Sequence, residues 1–576
     1  MAAPRAVRRT LYLVACLAPV WSVIACATNG VMFQLGGLRF KATEPVRPLV
    51  IAAVAASLYI WRSSAETRET DGVWLAGIIR RLLRWSIPAL ILMAMLTGIR
   101  WGTFTAAGSD AYGYLSQADL WLTGSLRVSQ PWVQQFSLPK REWLFAPLGY
   151  RPLSTDGTIV PTYAPGLPML MALFELVGGR NAPFFVVPLL GACAVWLTFE
   201  LGKRLVSATV GAFAALLLLT SPVFLAHLLV PMTDVPVTAA WLAVGVLALS
   251  ANRDRDGRRW AIGCGILAGA ALLVRPNLLL LSLIPLVIWR GRRDLAIRYA
   301  LALVPGVLAI LLLNTYLYGS VTSSGYGALS GIFSLGSAWP NLRRYGSWLI
   351  QTQTVMVLLA LAPVMLPRRS GIPADARVCL GSYVVLTLLS YLFYAEFENW
   401  TYLRFLLPAF PALFILMGAA TRMICASIPS VARPAVALLI GVACLAASFV
   451  FARDQFIFDA RKIEQRHIAA ANRVAELTPD TAIILCVQHS GSLRYYANRK
   501  TLRFDALADD GLDAAIDEIR ARGYQPFIVL DDWEEQNFRK QFAARNRAGR
   551  LDWPAVASMG TNPDVRIYFV GRLAGS

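Results

Sequence analysis

Residues 231–250 read PMTDVPVTAAWLAVGVLALS, in which an aspartate precedes an apolar run of membrane-spanning length. A transmembrane helix needs about 20 mostly apolar residues, and this run carries no charge after Asp234. The whole chain has the same character, because 57% of its 576 residues are hydrophobic and only 15% are charged. This composition excludes an ordinary soluble globular protein and predicts a polytopic α-helical membrane protein.

Apolar runs of this kind recur along the chain and predict about 13 transmembrane helices. They lie at residues 11–27, 47–61, 85–102, 183–199, 205–229, 235–250, 260–274, 277–289, 296–313, 347–366, 378–395, 404–420 and 433–451. The first run follows a basic start but lacks a small-residue cleavage site before a soluble chain, so we expect an anchor and not a cleaved signal peptide.

The net charge of +20 would suggest a nucleic-acid partner in a soluble protein, but here it follows the predicted topology. The alternate segments that begin with the N-terminus hold 23 Lys and Arg residues, against 12 in the intervening ones. Basic residues stay on the cytoplasmic side, so the N-terminus is predicted to be cytoplasmic. An odd number of spans then places the C-terminal tail outside. We therefore expect no nucleic-acid partner.

The tail from residue 452 onward has a different pattern. Short apolar runs at 482–487 and 526–530 alternate with amphipathic stretches at 511–522 and 532–545. Strand-length runs between helical patterns predict a small soluble α/β domain. The chain thus divides into a transmembrane domain, 1–451, and an extracytoplasmic α/β domain, 452–576.

Neither the tail nor the cysteines indicate a hydrolase, a disulfide framework or a zinc site. His489 and Ser490 follow a predicted strand, at the edge where open α/β sheets bind ligands. No nucleophile-elbow pattern surrounds them, so we expect a helix cap or an acceptor contact. The eight cysteines show no paired or metal-ligand spacing.

Two acids stand where predicted helices meet the membrane boundary. Asp110 begins the 80-residue loop 103–182, and Asp234 begins the run quoted above. A charge at the bilayer centre costs about 2.5–3.5 kcal/mol, so such residues are functional candidates. The alternative is that each carboxylate only caps the helix that follows it.

Basic and aromatic residues accompany these acids. Arg275 interrupts two apolar runs at Arg-Pro-Asn, and Arg404 lies just inside another. A guanidinium can bind a phosphate with two parallel hydrogen bonds, so both are candidate phosphate ligands. For Arg343 and Arg344 we expect contact with lipid headgroups instead. Loop tyrosines such as Tyr112 can stack on sugars or serve as interfacial belt residues.

The motifs and their order resemble a known superfamily. They are Gly108-Ser-Asp-Ala-Tyr, Tyr163-Ala-Pro-Gly-Leu-Pro, Pro231-Met-Thr-Asp-Val-Pro, Leu273-Val-Arg-Pro-Asn and Tyr402-Leu-Arg-Phe-Leu-Leu-Pro-Ala-Phe-Pro. Over about residues 100–420 the chain resembles the GT-C glycosyltransferases, most closely the protein O-mannosyltransferases and aminoarabinose lipid A transferases.

The resemblance implies an enzyme of the bacterial inner membrane. It would transfer a sugar from a polyprenyl-phosphate donor to a cell-envelope acceptor, which is a glycan, a lipid or a protein. The resemblance leaves the use of a divalent metal open, because the first loop has one Asp where the family has an Asp-Glu pair. Two extra spans also precede the one before Asp110. The residues implied by the resemblance are Asp110 and Asp234 for catalysis and Arg275 and Arg404 for the donor phosphate. As substrate contacts we expect residues of the outer loops, namely Tyr112, Tyr163, His227, Tyr326 and Glu398.

Two other functional classes stay open. A transporter or flippase of lipid-linked sugars also uses broken helices, such as the one expected at Arg275-Pro276-Asn277, although we find no inverted repeat. A membrane scaffold with a partner-binding outer domain is the second alternative. Acids at matching depth on separate hairpins favour an enzyme over a scaffold.

Overall fold

The computed structural model describes residues 4–28, 31–35, 38–42, 46–254, 256–560 and 563–571. Helices dominate the first 454 residues. Up to the second acid they are α1 (Arg5–Thr28), α2 (Val46–Trp61), α3 (Ala65–Trp101), α4 (Asp110–Thr123), α5 (Arg141–Leu144), α6 (Gly166–Gly178), α7 (Val186–Leu205), α8 (Ala208–Thr220), α9 (Pro222–Leu228) and α10 (Asp234–Arg253).

The remaining helices of this part include several that are short or broken. They are α11 (Arg258–Val274), α12 (Ile284–Ile288), α13 (Arg293–Tyr318), α14 (Leu329–Ile332), α15 (Ala338–Gln353), α16 (Ala362–Met365), α17 (Pro367–Ser370), α18 (Ala374–Leu392), α19 (Phe410–Ala426) and α20 (Arg433–Asp454). Tighter 3₁₀ helices at Pro276–Leu283, Val355–Leu361 and Trp400–Ala409 lead into α12, α16 and α19.

The apolar helices confirm the predicted polytopic membrane fold. Within the described ranges, seven helices are long and apolar enough to span a membrane, or nine if each bent pair is one span. The bends are 61° between α8 and α9, and 111° between α15 and the segment after it. Four further apolar helices are shorter. All thirteen predicted runs lie on helical structure, but the number of crossings stays a prediction.

Close backbone contact holds part of this bundle together. Gly269 on α11 faces Gly306 on α13, and a Cβ at Gly306 would overlap the Cα of Gly269. Small residues allow helices to approach closely in lipid, where no hydrophobic force drives them together. The glycines therefore position α11, whose last residue precedes Arg275.

The N-terminal helices are fixed by a buried ionic group at the end of the bundle that carries the N-terminus. Asp71 on α3 accepts hydrogen bonds from Arg8 Nε at 2.6 Å and Arg9 Nε at 3.3 Å. The Tyr59 hydroxyl on α2 donates to the same carboxylate at 3.3 Å. We call Arg8, Arg9, Tyr59 and Asp71 the Asp71 cluster. Next to it, Tyr12 donates to the Val431 carbonyl at 2.7 Å and so ties α1 to the start of α20.

Four small sheets complete the secondary structure of the described residues. Three are two-stranded: β1 (Val31–Leu35) with β2 (Leu38–Ala42), β3 (Tyr150–Pro152) with β4 (Ile159–Pro161), and β5 (Ser323–Ser324) with β6 (Gly327–Ala328). The fourth is five-stranded, in the order β10-β11-β9-β7-β8. Its strands are β7 (Ala482–Leu485), β8 (Lys500–Leu502), β9 (Gln525–Asp531), β10 (Ala557–Ser558) and β11 (Val565–Phe569).

The C-terminal part has the predicted α/β character. Strand β7 is parallel to β8 and β9, and β11 is antiparallel to β9 and β10. The helices around the sheet are α21 (Ala460–Glu464), α22 (Arg466–Leu477), α23 (Ser490–Ala497), α24 (Leu512–Ala521) and α25 (Asp532–Phe542). Because α20 runs to Asp454, it passes the predicted boundary at 451/452. That boundary stays a prediction.

The long loop 103–182 is folded and packs on this sheet. One core contains Val133, Phe136 and Phe145 of the loop together with Leu485 and Ile528 of the sheet. The loop therefore packs on the same hydrophobic face of the sheet as α24 and α25, while α22 and α23 cover the other face. The two predicted domains thus share a core.

Candidate active site

The two acids singled out from the sequence each begin a helix. Asp110 is the first residue of α4, and Asp234 is the first residue of α10. A carboxylate in a first helical turn interacts favourably with the helix dipole. The two side chains differ in exposure: 30% of the Asp110 side chain is accessible and none of the Asp234 side chain.

Arg275 binds the buried acid. It stands at the end of α11, where its extended backbone and the following proline stop the helix. Its Nη1 donates to Asp234 Oδ1 at 2.7 Å, and its Nη2 donates to Thr233 Oγ1 at 2.9 Å. This two-point contact fixes the guanidinium plane.

Arg404 lies between the two acids. Its Nη1 donates to Asp110 Oδ2 at 3.3 Å, and its Nε lies 4.0 Å from Asp234 Oδ1. The guanidinium groups of Arg275 and Arg404 lie 5.6 and 5.5 Å from the ring centre of Phe405. We call Asp110, Asp234, Arg275 and Arg404 the two-acid cluster. Its two carboxylates and two guanidiniums sum to zero formal charge.

This cluster has unused hydrogen-bonding capacity. Among the described residues, Asp234 Oδ2 and Arg404 Nε are buried and have no hydrogen-bond partner. The hydroxyl of Tyr391, whose ring stacks on Phe405 at 4.8 Å, also lacks one. Buried polar groups are nearly always paired, so unpaired ones in one place indicate a bound molecule. The arrangement is suited to binding an anion next to a carboxylate.

Tyrosines line the side of the cluster next to Asp110. The Tyr163 hydroxyl lies 2.6 Å from Ser109 Oγ, and its ring is 4.6 Å from that of Tyr114. Tyr326 packs edge-on against Tyr163 at 6.0 Å and stays 57% exposed. Of the tyrosines predicted to bind substrate, Tyr163 and Tyr326 therefore lie beside the acid.

The other predicted substrate residues form no hydrogen bond with the cluster in the described structure, although His227 lies near enough to interact electrostatically with Asp234. Tyr112 is buried against the far side of α4, where its ring meets Tyr150 and Tyr495. His227 is buried in α9, and its Nδ1 bonds the Val223 carbonyl one turn earlier at 2.7 Å. Glu398 is exposed and forms no ion pair within the described residues. Their predicted roles as ligands are not supported by contact with the cluster and stay predictions.

Sequence reasoning gave no role to Phe405 or Tyr391, and it considered Tyr114 only as a loop aromatic that could stack on sugars or belong to the interfacial belt. Tyr114 donates to or accepts from Thr233 Oγ1 at 3.2 Å and so joins α4 to the start of α10. Residues four apart share a helix face, so Tyr114 could have been found from Asp110. Phe405 and Tyr391 have no such signal, because aromatics in apolar helices are common.

A second acidic pair, Asp119 on α4 and Glu175 on α6, is separate from the cluster. Burial and the neighbouring charge of Glu175 raise the pKa of Asp119 to about 7. Arg180 opposes this shift. In the described part of the chain, no three or more His, Cys, Asp or Glu side chains are grouped so as to hold a metal ion.

The C-terminal part supports α4 from behind. Gly491 lies against Tyr112, and Ser490 Oγ accepts a hydrogen bond from the Leu148 amide at 3.1 Å. The buried Arg494 donates to Gln130 Oε1 at 2.6 Å and to the Phe145 carbonyl at 2.5 Å. Helix α23 thus packs against the side of α4 that faces away from the two-acid cluster.

Comparison with known proteins agrees with this architecture. A family model described as dolichyl-phosphate-mannose-protein mannosyltransferase matches residues 162–318. No curated protein matches the chain. The matched region contains Tyr163, Asp234 and Arg275 of the site.

Solved structures show the fold. ArnT from Cupriavidus metallidurans bound to undecaprenyl phosphate is 14% identical, with a TM-score of 0.53, over 85% of this chain and 98% of that one. The same protein in the apo state is 13% identical, with a TM-score of 0.52, over 84% of this chain and 97% of that one. The Archaeoglobus fulgidus oligosaccharyltransferase in complex with Zn and sulfate gives 11%, a TM-score of 0.51, and coverages of 80% and 70%.

The shared fold and the family match over residues 162–318 agree with the predicted class, a multi-pass GT-C membrane glycosyltransferase. The fold places its acids at helix starts on one end of the bundle, next to the α/β part. Donor, acceptor and the roles of individual residues are considered next.

Proposed function

We propose that the protein transfers a sugar from a polyprenyl-phosphate donor to a hydroxyl group of a cell-envelope acceptor. The observation that carries the proposal is the two-acid cluster, in which two arginines and two acids meet with buried, unpaired atoms. ArnT, which shares the fold, has been solved with undecaprenyl phosphate bound, and this supports a lipid-phosphate donor.

The two arginines bind the donor phosphate in this proposal. Guanidinium groups bind phosphate oxygens bidentately, and in a dry site they stabilise negative charge that develops on a leaving phosphate. Arg275 is already oriented by Asp234 and Thr233. Stacking on Phe405 leaves the guanidinium edges free to face the ligand.

Asp110 acts on the acceptor. Its carboxylate is the exposed one of the pair, and it takes the proton of the acceptor hydroxyl. The hydroxyl oxygen then bonds to the anomeric carbon as the bond from that carbon to the phosphate oxygen breaks. The polyprenyl phosphate leaves with the electron pair. Asp234, which is fully buried, orients Arg275 and does not touch the acceptor.

The surroundings fit a sugar and a lipid. The half-exposed Tyr326, which packs on the buried Tyr163, offers an aromatic face near Asp110 where a sugar ring can stack. The loop basic-residue bias supports a cytoplasmic N-terminus, with the cluster and the C-terminal α/β part on the outer side of a bacterial inner membrane. The acceptor would then be a glycan, a lipid or a protein of the cell envelope.

Purified protein in detergent tests the proposal. Radiolabelled sugar should pass from polyprenyl-phosphate donors to envelope extracts, and Asp110→Asn should lower the rate by about 10²–10⁴-fold. Asp119→Asn, which removes another acid from the same helix, is the matched control and should keep full activity. Equal activity of the Asp110 variant would remove its catalytic role. No transfer from any donor, together with movement of the lipid between leaflets, would indicate a flippase.

A further inference from the structure

The two arginines of the two-acid cluster are not held equally. Arg275 makes two hydrogen bonds, at 2.7 and 2.9 Å, to a fully buried acid and its neighbour. Arg404 makes one carboxylate hydrogen bond, at 3.3 Å to the more exposed acid, and a weak contact with Met232 Sδ at 3.6 Å. Its buried Nε lies 4.0 Å from Asp234 Oδ1 and has no hydrogen-bond partner among the described residues. Arg404 is therefore the less firmly fixed of the two cations.

The partner of Arg404 is also the proposed base. The hydrogen bond from Arg404 occupies Asp110 Oδ2, one of the two oxygens that could take a proton from the acceptor. In the structure as it stands, the proposed base is therefore engaged by a cation. The acid has to lose this contact before both of its oxygens can face the acceptor hydroxyl.

Charge balance gives the reason for a change of partner. The cluster is formally neutral, so a phosphodiester brings one unmatched negative charge next to two carboxylates. Arg275 can still donate to the phosphate with its remaining N–H groups, but its charge is already balanced by the buried Asp234, and a buried charge left unpaired is costly. Arg404 can turn to the phosphate with its unbonded Nε, and the one carboxylate hydrogen bond that it gives up is to an acid that is already 30% exposed to solvent.

We infer that Arg404 exchanges partners when the donor binds, leaving Asp110 for the donor phosphate and so releasing the base. The inference rests on the proposed function. It makes donor binding a condition for acid–base catalysis, so that Asp110 becomes active only when a sugar is in place. Linkage requires the reverse as well: the Asp110 contact weakens donor binding.

A double-mutant cycle tests the exchange with undecaprenyl phosphate as the probe. Its dissociation constant is measured by titration calorimetry for wild type, Asp110→Asn, Arg404→Gln and the double variant, all checked for folding by thermal unfolding. Asp110→Asn should bind about fivefold more tightly, since Arg404 no longer has an acid to leave. In the Arg404→Gln background the same change should alter binding by less than twofold. Asp119→Asn should leave the constant unchanged.

The outcomes separate the inference from the proposal beneath it. An equal gain in both backgrounds would show simple repulsion between Asp110 and phosphate, and would overturn the exchange while leaving the donor site intact. No gain from Asp110→Asn would overturn it too. If folded wild-type protein bound no undecaprenyl phosphate, the proposed function itself would fail, and the exchange with it. If the glutamine variant failed to fold, Arg404→Lys would take its place in the same cycle.

Discussion

Among the described residues, Asp71 and Asp234 are both buried and are each approached by two arginines. The two clusters differ in whether all of their polar atoms are paired. In the Asp71 cluster both carboxylate oxygens are occupied, by Arg8, Arg9 and Tyr59. In the two-acid cluster one oxygen of Asp234 and one nitrogen of Arg404 are buried and unpaired within the described residues. Similar residues thus form a fully paired contact in one place and the proposed binding site, with unpaired atoms, in the other.

The difference follows from geometry and not from composition. Both acids are fully buried, so burial alone does not identify the site. Asp71 binds Arg8 through two guanidinium nitrogens, whereas Asp234 uses a single oxygen and leaves the other free. Unsatisfied polar atoms, and not buried charge as such, are what separate function from structure here.

The largest expected effect is a difference in transfer activity between variants of the two buried aspartates. Asp234→Asn should lower kcat/KM for transfer by about 10²–10³-fold, because Arg275 loses the charge that orients it toward the leaving phosphate. Asp71→Asn should leave kcat/KM within about threefold. Both are measured with the labelled donor at a temperature well below unfolding. Comparable losses in the two variants would mean that the clusters are not functionally distinct.

For the free energy of unfolding we expect the opposite order, with the larger loss at Asp71. Asp71→Asn removes the one acid between Arg8 and Arg9 and should cost about 3–5 kcal/mol of unfolding free energy. Asp234→Asn should cost less, because Arg404 keeps its contact with Asp110 and Arg275 keeps its bond to Thr233, whereas the ion pairs of Arg8 and Arg9 among the described residues are with Asp71. Thermal unfolding in detergent, followed by tryptophan fluorescence, gives the order. A larger loss for Asp234→Asn would argue that the two-acid cluster is itself a structural contact.

Exchange of arginine for lysine should give a smaller effect that depends on the cluster. Arg275→Lys keeps the charge but cannot bond both Asp234 and Thr233, so transfer should fall about tenfold. Arg9→Lys, at a single 3.3 Å contact, should change transfer less than twofold. Lysine at 275 with full activity would show that charge suffices and that the two-point contact is incidental.

Removal of one hydroxyl is expected to have the smallest effect. Tyr59→Phe and Tyr114→Phe each remove one hydrogen bond, at 3.3 and 3.2 Å, worth about 0.5–1.5 kcal/mol. For Tyr59 the loss should appear in the unfolding temperature. For Tyr114 it should appear as a few-fold fall in transfer, because the hydroxyl joins α4 to α10. Identical profiles for the two variants would contradict the distinction.

Charged residues in apolar surroundings made the central part of this site predictable. Asp110, Asp234, Arg275 and Arg404 were selected because charge is costly at a membrane boundary, and the fold brings all four together. The apolar runs likewise predicted where helices form. Their bends, such as the one at Ser221, depend on tertiary packing that a run of apolar residues does not specify.

Side-chain direction explains what the sequence did not predict. Tyr112 is close to Asp110 in the chain and was predicted to bind substrate, but residues two apart on a helix face different ways. Tyr114 lies one turn from Asp110 and therefore shares its face of the helix. Glu398 lies beside Trp400 and Arg404 in sequence, yet it points into solvent because a loop precedes the helix there. The core shared by loop 103–182 and the sheet joins residues more than 300 apart, which periodicity cannot reveal.

The packing of α23 behind α4 has a consequence for how the protein is made. Helix α4 ends at Thr123, and the helix that supports it begins at Ser490. At about 5–20 residues per second, the ribosome needs on the order of tens of seconds to add this helix. Until then the face of α4 that packs against α23 stays uncovered, although α6 can already pack on α4. We therefore expect chains that stop before residue 490 to consume no donor. The protein would then become active only after its C-terminal part has been synthesised.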